Sequence, residues 1–109
     1  GNQEGRILVE GTSGTALANG LYMYLKYYCN TTLSWGEDGT GDHISIPSPL
    51  PSLPAPWKEE IFAEYRYNMN VCTFGYSYVH WEWDRWEREI DWMALNGVNM
   101  ARVPLLPSI

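Results

Sequence analysis

The feature that most constrains this chain is residues 65–97, YRYNMNVCTFGYSYVHWEWDRWEREIDWMALNG, which contains a complete change of backbone period. Residues 65–71 alternate large with small or polar side chains, the period of a strand with two unlike faces. Residues 72–78 read as a polar and aromatic loop that pivots on Gly75. From Trp83 the apolar positions Trp83, Trp86, Ile90 and Met93 recur at spacings of three and four, which places them on one helix face. Asp84, Arg85, Arg88 and Asp91 fall opposite, and Asp84 precedes Arg88 by one turn, the favourable order for a helical ion pair. Gly97 stands where a C′ glycine stops a helix, and residues 98–101 (VNMA) restart a strand-like run. Strand, loop, helix, stop and strand make one βα unit entering a second strand.

The totals exclude several classes. A length of 109 residues suits one small domain, and 45% hydrophobic with 15% aromatic residues is ample for a globular core. A net charge of −6 argues against nucleic-acid binding, which needs a basic face. No apolar run approaches the ~18 residues of a membrane span, so no membrane partner is expected, and no signal-peptide pattern opens the chain. Two cysteines are too few for a disulfide scaffold. Cys29 and Cys72 each occupy a plausible core position and either pair or stay thiols.

The first 46 residues read as a small β-α-β-β layer. Residues 6–10 (RILVE) suit a buried strand. Leu17, Leu21, Tyr24, Leu25 and Tyr28 then form the apolar stripe of a helix capped by Ser13 or Thr15. Gly20 inside that helix costs about 1 kcal/mol against alanine, which points to a close helix–sheet contact there. The turn GTSGT lacks the glycine spacing and the lysine of a phosphate-binding loop, so it is a structural turn. Residues 32–35 and 43–46 read as two short strands joined by a hairpin loop over residues 36–41. His43 has no second metal ligand near it in sequence, and neither a metal nor a cofactor is expected. Asn30-Thr31-Thr32 is an acceptor triplet for N-glycosylation, which makes Asn30 a candidate modified residue.

Residues 47–56 (PSPLPSLPAP) hold five of the seven prolines. Proline fixes φ and removes a donor, so the segment reads as a semi-rigid linker that extends, with the acidic residues Glu59, Glu60 and Glu64, to position 64. A ligand for a proline-binding module is the sharper alternative. On the helix, Glu82, Asp84, Glu87, Glu89 and Asp91 raise the question of a catalytic carboxylate pair. Acids on one helix surface face water in parallel, with no room for a substrate between them, so the solvated-face reading is preferred. His80 stands in an aromatic run and reads as a packing residue with Trp81 and Trp83.

Residues 66–101, RYNMNVCTFGYSYVHWEWDRWEREIDWMALNGVNMA, resemble the opening of the catalytic barrel in the lysosomal alpha-N-acetylglucosaminidase family. That family's pattern is RYxxNVCTxSYS followed by WxWxRWExEIDWMALNGIN. Gly75 departs from it, standing where serine is usual, and the residues after Ala101 depart altogether. The resemblance implies an N-terminal fragment, or a product with a replaced tail. Its parts would be an N-terminal α/β domain over residues 1–46, a linker over 47–64, and over 65–109 the first βα unit of a truncated TIM-type (β/α)8 barrel. It further implies a retaining exo-glycosidase acting on terminal alpha-linked N-acetylglucosamine of heparan sulfate-type glycans, lysosomal or secreted, with room for a homo-oligomer of the full-length enzyme. The catalytic glutamates would lie beyond position 109, so the fragment alone is expected to be inactive. In a βα barrel the C-terminal strand ends carry function, where Asn70, Cys72 and Tyr76 would stand, and the resemblance implies these three as contacts to the sugar ring; the alternative is that Cys72 is a buried thiol and Tyr76 a packing aromatic. An amide bonds neighbouring hydroxyls, a thiol lines a tight wall, and a tyrosine stacks and donates. The rival readings are a non-catalytic carbohydrate-binding or interaction module, and a truncated product without function. In that last case residues 1–56 would fold and 57–109 would be sticky or partly disordered.

Overall fold

The computed structural model describes residues 2–3, 5–34, 40–70 and 72–102. Most of the expected 36–41 hairpin loop, Val71 and the tail after Arg102 lie outside them. Among the described residues four two-residue strands and two α-helices follow in the order β1 (Asn2–Gln3), β2 (Arg6–Ile7), α1 (Gly14–Tyr28), β3 (Tyr67–Asn68), α2 (Trp83–Leu95) and β4 (Met100–Ala101). β1 pairs antiparallel with β2, and β3 pairs parallel with β4 in the register Tyr67↔Met100, Asn68↔Ala101. The described strands therefore make two separate sheets rather than one β-α-β-β layer. The helices α1 and α2 pack on each other and bring the halves together.

Helix α1 begins where its chemistry directs. Ser13 Oγ accepts the Ala16 N–H at 3.1 Å, a cap worth about 1 kcal/mol. Its buried face differs from the expected stripe. Tyr22 and Tyr24 are buried, whereas Leu17 and Leu21 are exposed. The reason is hydrogen bonding: the Tyr22 hydroxyl accepts the Leu33 N–H at 3.0 Å, and the Tyr24 hydroxyl donates to the Pro51 carbonyl at 2.7 Å. Each tyrosine buries its ring and still satisfies its polar tip, which leucine cannot do for the loops around it. Burial raises the Tyr24 pKa, with the neighbouring Cys29 adding to the effect. The contact behind Gly20 is real but made with a loop: a Cβ there would stand 3.1 Å from the Val9 side chain, outside any strand.

Trp35 of the expected 32–35 strand lies outside the described residues; among those described, the 32–34 and 43–46 segments meet in one antiparallel bridge between Thr32 and His43. Side chains replace the rest of the ladder. Thr31 Oγ1 accepts the Ser45 N–H at 2.9 Å and donates to the Ser45 carbonyl at 2.8 Å, while Asp42 accepts the Ser34 N–H at 2.6 Å. The proline-rich segment has no helix or strand, and its Ser48–Pro49 bond is cis.

The β3–α2–β4 unit matches the expected order, with shorter strands. Arg66 and Asn99 fasten it. Arg66 donates through Nε to the Gly97 carbonyl and through a terminal nitrogen to the Ala63 carbonyl, both at 2.6 Å. Asn99 accepts the Arg66 N–H at 2.8 Å and donates to the Glu64 carbonyl at 2.8 Å. At the end of α2, Gly97 holds φ +75, a region glycine enters without penalty. The expected apolar stripe of α2 is only half buried. Met93 and Trp86 join a cluster with Met69, Tyr78, Phe74, Trp81, Trp92 and Val98. Trp83 and Ile90 are 64% and 46% exposed. Between Trp86 and Met93 the buried position is Glu89, 1% exposed, which overturns its solvated-face reading. The expected Asp84–Arg88 pair is not among the ion pairs of the described residues either. Arg88 instead meets Asp42 at 2.7 Å, and the pair within α2 is Arg85–Glu89 at 3.3 Å.

Candidate functional site

The loop after β3 carries Asn70, Cys72 and Tyr76, and all three side chains are exposed. Met69 creates the bend that starts it. Its φ of +83 leaves the strand region, which ends β3 after Asn68. A non-glycine residue there costs about 1–3 kcal/mol. Burial of Met69 against Tyr78 and Met93 offsets that cost.

Asn70 then organises the turn. Its side-chain oxygen accepts the N–H groups of Cys72 at 2.9 Å and Thr73 at 3.1 Å, while the Thr73 hydroxyl donates back to the Asn70 carbonyl at 2.8 Å. Cys72–Gly75 winds as one 3-10 turn, and the N–H groups of Tyr76 and Tyr78 both reach the Thr73 carbonyl. The loop thus pivots on Asn70 and Thr73, while Gly75 holds no left-handed angle. With both lone pairs of the Asn70 oxygen engaged, its NH2 is the group left to meet a ligand. Cys72 is an exposed thiol, contrary to the expected core position, and Cys29 is buried; both are free. Tyr76, 79% exposed, presents its ring and hydroxyl outward.

Beneath the loop the aromatic side chains form a platform. Phe74 stacks on Trp86 with centroids 6.2 Å apart, Tyr78 lies 4.0 Å from Trp81, and Trp81 meets Trp86 edge-on at 5.1 Å. The Arg85 guanidinium sits 3.8 Å from the Trp81 ring centroid, a cation–π contact, and pairs with Glu89. Glu89 also accepts from the Asn68 amide at 3.3 Å, which joins α2 to the strand that leads into the loop. Burial raises the Tyr78 pKa, and the Glu89 charge adds to the shift. Periodicity alone contained the signal for Glu89, since it lies three residues after Trp86 and four before Met93. His80 is exposed rather than packed, and lines an open hollow of about 520 Å³ with Ser77, Trp81, Glu82, Asp84 and Arg85. Among the described residues no group of three metal-ligating side chains stands together.

A parallel βαβ unit with a polar and aromatic loop at the end of its first strand is the arrangement of an α/β protein. Comparison with known proteins specifies the class. Residues 1–52 match the model of the alpha-N-acetylglucosaminidase N-terminal domain, and residues 66–105 match that of the alpha-N-acetylglucosaminidase tim-barrel domain. Human alpha-N-acetylglucosaminidase is 46% identical over 101 residues, which are 93% of this chain and 13% of that protein. The family 89 glycoside hydrolase of Clostridium perfringens, in complex with 2-acetamido-1,2-dideoxynojirimycin, superposes with a TM-score of 0.82 at 36% identity. That match covers 90% of this chain and 11% of the solved one. An enzyme of the same organism in complex with its substrate GlcNAc-alpha-1,4-galactose gives 0.81 at 35% identity over the same shares. The chain belongs to the alpha-N-acetylglucosaminidase family, a family of glycoside hydrolases, and spans about an eighth of its human relative.

Proposed function

We propose that residues 1–109 form the N-terminal layer and the first βα unit of the barrel of a retaining exo-glycosidase. Its substrate would be terminal alpha-linked N-acetylglucosamine on heparan sulfate-type glycans, and its destination the lysosome or the exterior. The observation that carries this reading is the exposed trio Asn70, Cys72 and Tyr76 on a loop fixed by Asn70 itself and floored by the aromatic cluster. The Asn70 NH2 donates to a ring hydroxyl, Tyr76 stacks on the apolar sugar face and donates through its hydroxyl, and Cys72 closes the wall. A wall held this firmly orients the sugar before reaction, which lowers the entropic part of the barrier.

Hydrolysis with retention needs two carboxylates about 5–5.5 Å apart, one protonating the leaving oxygen and one attacking the anomeric carbon. Glu89 is committed to Arg85 and Asn68, and Asp84, Glu87 and Asp91 of α2 face outward. On the family resemblance we place the pair beyond residue 109, so residues 1–109 are expected to be inactive by themselves. The full-length protein is expected to release nitrophenol from 4-nitrophenyl alpha-N-acetylglucosaminide, with the alpha anomer as first product. Residues 1–109 at the same concentration are expected to release none. Inactive full-length protein, or turnover by residues 1–109, would contradict the reading.

A further inference from the structure

We propose that Asn30 carries an N-linked glycan. The triplet Asn30-Thr31-Thr32 has the acceptor pattern, with a residue other than proline in the middle. The structure adds how the triplet is presented. Thr31 points inward, 2% exposed, and its hydroxyl holds both backbone groups of Ser45. Asn30 and Thr32 on either side of it are exposed. The two groups a transferring enzyme reads, the acceptor amide and the hydroxyl two residues on, thus lie on the solvent side. The middle residue alone makes the buried contact.

Asn30 also ends α1. Its φ is +52, and the next N–H, that of Thr31, returns to the Leu25 carbonyl at 3.0 Å. Asparagine is favoured at such a helix stop, and that accounts for the residue type at position 30. It does not account for an exposed hydroxyl at position 32. The Asn30 amide nitrogen meets the exposed His43 ring at 3.5 Å, so a sugar there displaces no core contact. In the transfer, the amide nitrogen attacks the anomeric carbon of a polyprenyl-diphosphate-linked oligosaccharide. An N–C bond forms, the C–O bond to phosphate breaks, the polyprenyl diphosphate leaves with the electron pair, and the amide proton passes to a base of the transferring enzyme.

The inference rests on the secretory destination proposed above and on nothing in the sugar-cleaving site. Its test is glycopeptide mass spectrometry of the full-length protein from a eukaryotic source, with enzymatic deglycosylation in heavy-oxygen water to mark occupied asparagines. The expected result is an occupied Asn30 peptide, lost in Thr32→Ala and kept in Thr32→Ser, with the catalytic rate unchanged in both. Thr32 is the better variant because Asn30→Gln also disturbs the helix stop. An unmodified Asn30 peptide in secreted or lysosomal, active enzyme would overturn the inference and leave the glycosidase reading standing. A parent protein that is inactive with Asn30 occupied would do the reverse.

Discussion

Arg88 of α2 grips Asp42 at 2.7 Å across 46 positions of sequence, and thereby fastens the N-terminal layer to the helix of the βα unit. The same guanidinium donates to the Ser34 carbonyl at 3.3 Å. The Arg88 hydrogen bond, and then the Ser34 N–H, hold the Asp42 carboxyl below its usual pKa. A depressed folded-state pKa gives stability that is present above the unfolded value of ~3.9 and is lost as pH falls through the folded value.

Asp42→Asn is therefore expected to destabilise the full-length protein at pH 7 by up to about 1 kcal/mol, the ordinary worth of a partly exposed pair. The difference between variant and parent should shrink as pH drops below ~4. Melting curves at several pH values check this, and a difference that grows in acid would refute it.

The Arg85–Glu89 pair is a different case, because both side chains are withdrawn from water. Glu89→Ala leaves a buried guanidinium without its carboxylate, a change that typically costs about 3–5 kcal/mol. The double replacement Arg85→Met with Glu89→Leu removes both charges and should recover much of that loss. Thermal melting of the parent and the two variants decides it; a Glu89→Ala variant as stable as the parent would mean that Glu89 does not brace α2 against Asn68.

Gly97→Ala is expected to cost about 1–2 kcal/mol through its left-handed backbone alone. The added Cβ would also stand 3.4 Å from Asn19, whose amide donates to the Leu95 carbonyl at 2.8 Å and ties α1 to the end of α2. Denaturant midpoints measure the loss. An unchanged midpoint would show that the helix stop is not under this constraint.

Local signals were legible in the sequence. The Ser13 cap, the Gly97 stop and the order strand–loop–helix–strand depend on neighbours in the chain, and all three stand in the structure. The rest depends on what lies across space. β3 stops short because Met69 is pulled into the cluster with a positive φ, which no alternation of residue sizes reveals. Arg88 prefers Asp42 to Asp84 because the packed helices bring Asp42 within reach. Glu89 was readable from spacing, but a search for apolar positions passes over a carboxylate. Of the candidate site, the location of Asn70, Cys72 and Tyr76 on one loop was legible. The engagement of the Asn70 oxygen in its own turn was not, because that bond depends on the bend at Met69.

That engagement sets the most direct measurement. Asn70→Asp keeps an oxygen to cap the Cys72 and Thr73 N–H groups and replaces the NH2 donor with a charged acceptor oxygen. In the full-length protein the account predicts an unchanged melting temperature and a kcat/KM on the nitrophenyl alpha-N-acetylglucosaminide lower by at least about tenfold, the equivalent of one lost hydrogen bond of ~1.4 kcal/mol. Tyr76→Phe, which keeps the ring and removes the hydroxyl, should lose less than Tyr76→Ala. Unaltered kinetics in Asn70→Asp and Tyr76→Ala alike would show that this loop is no part of the sugar pocket.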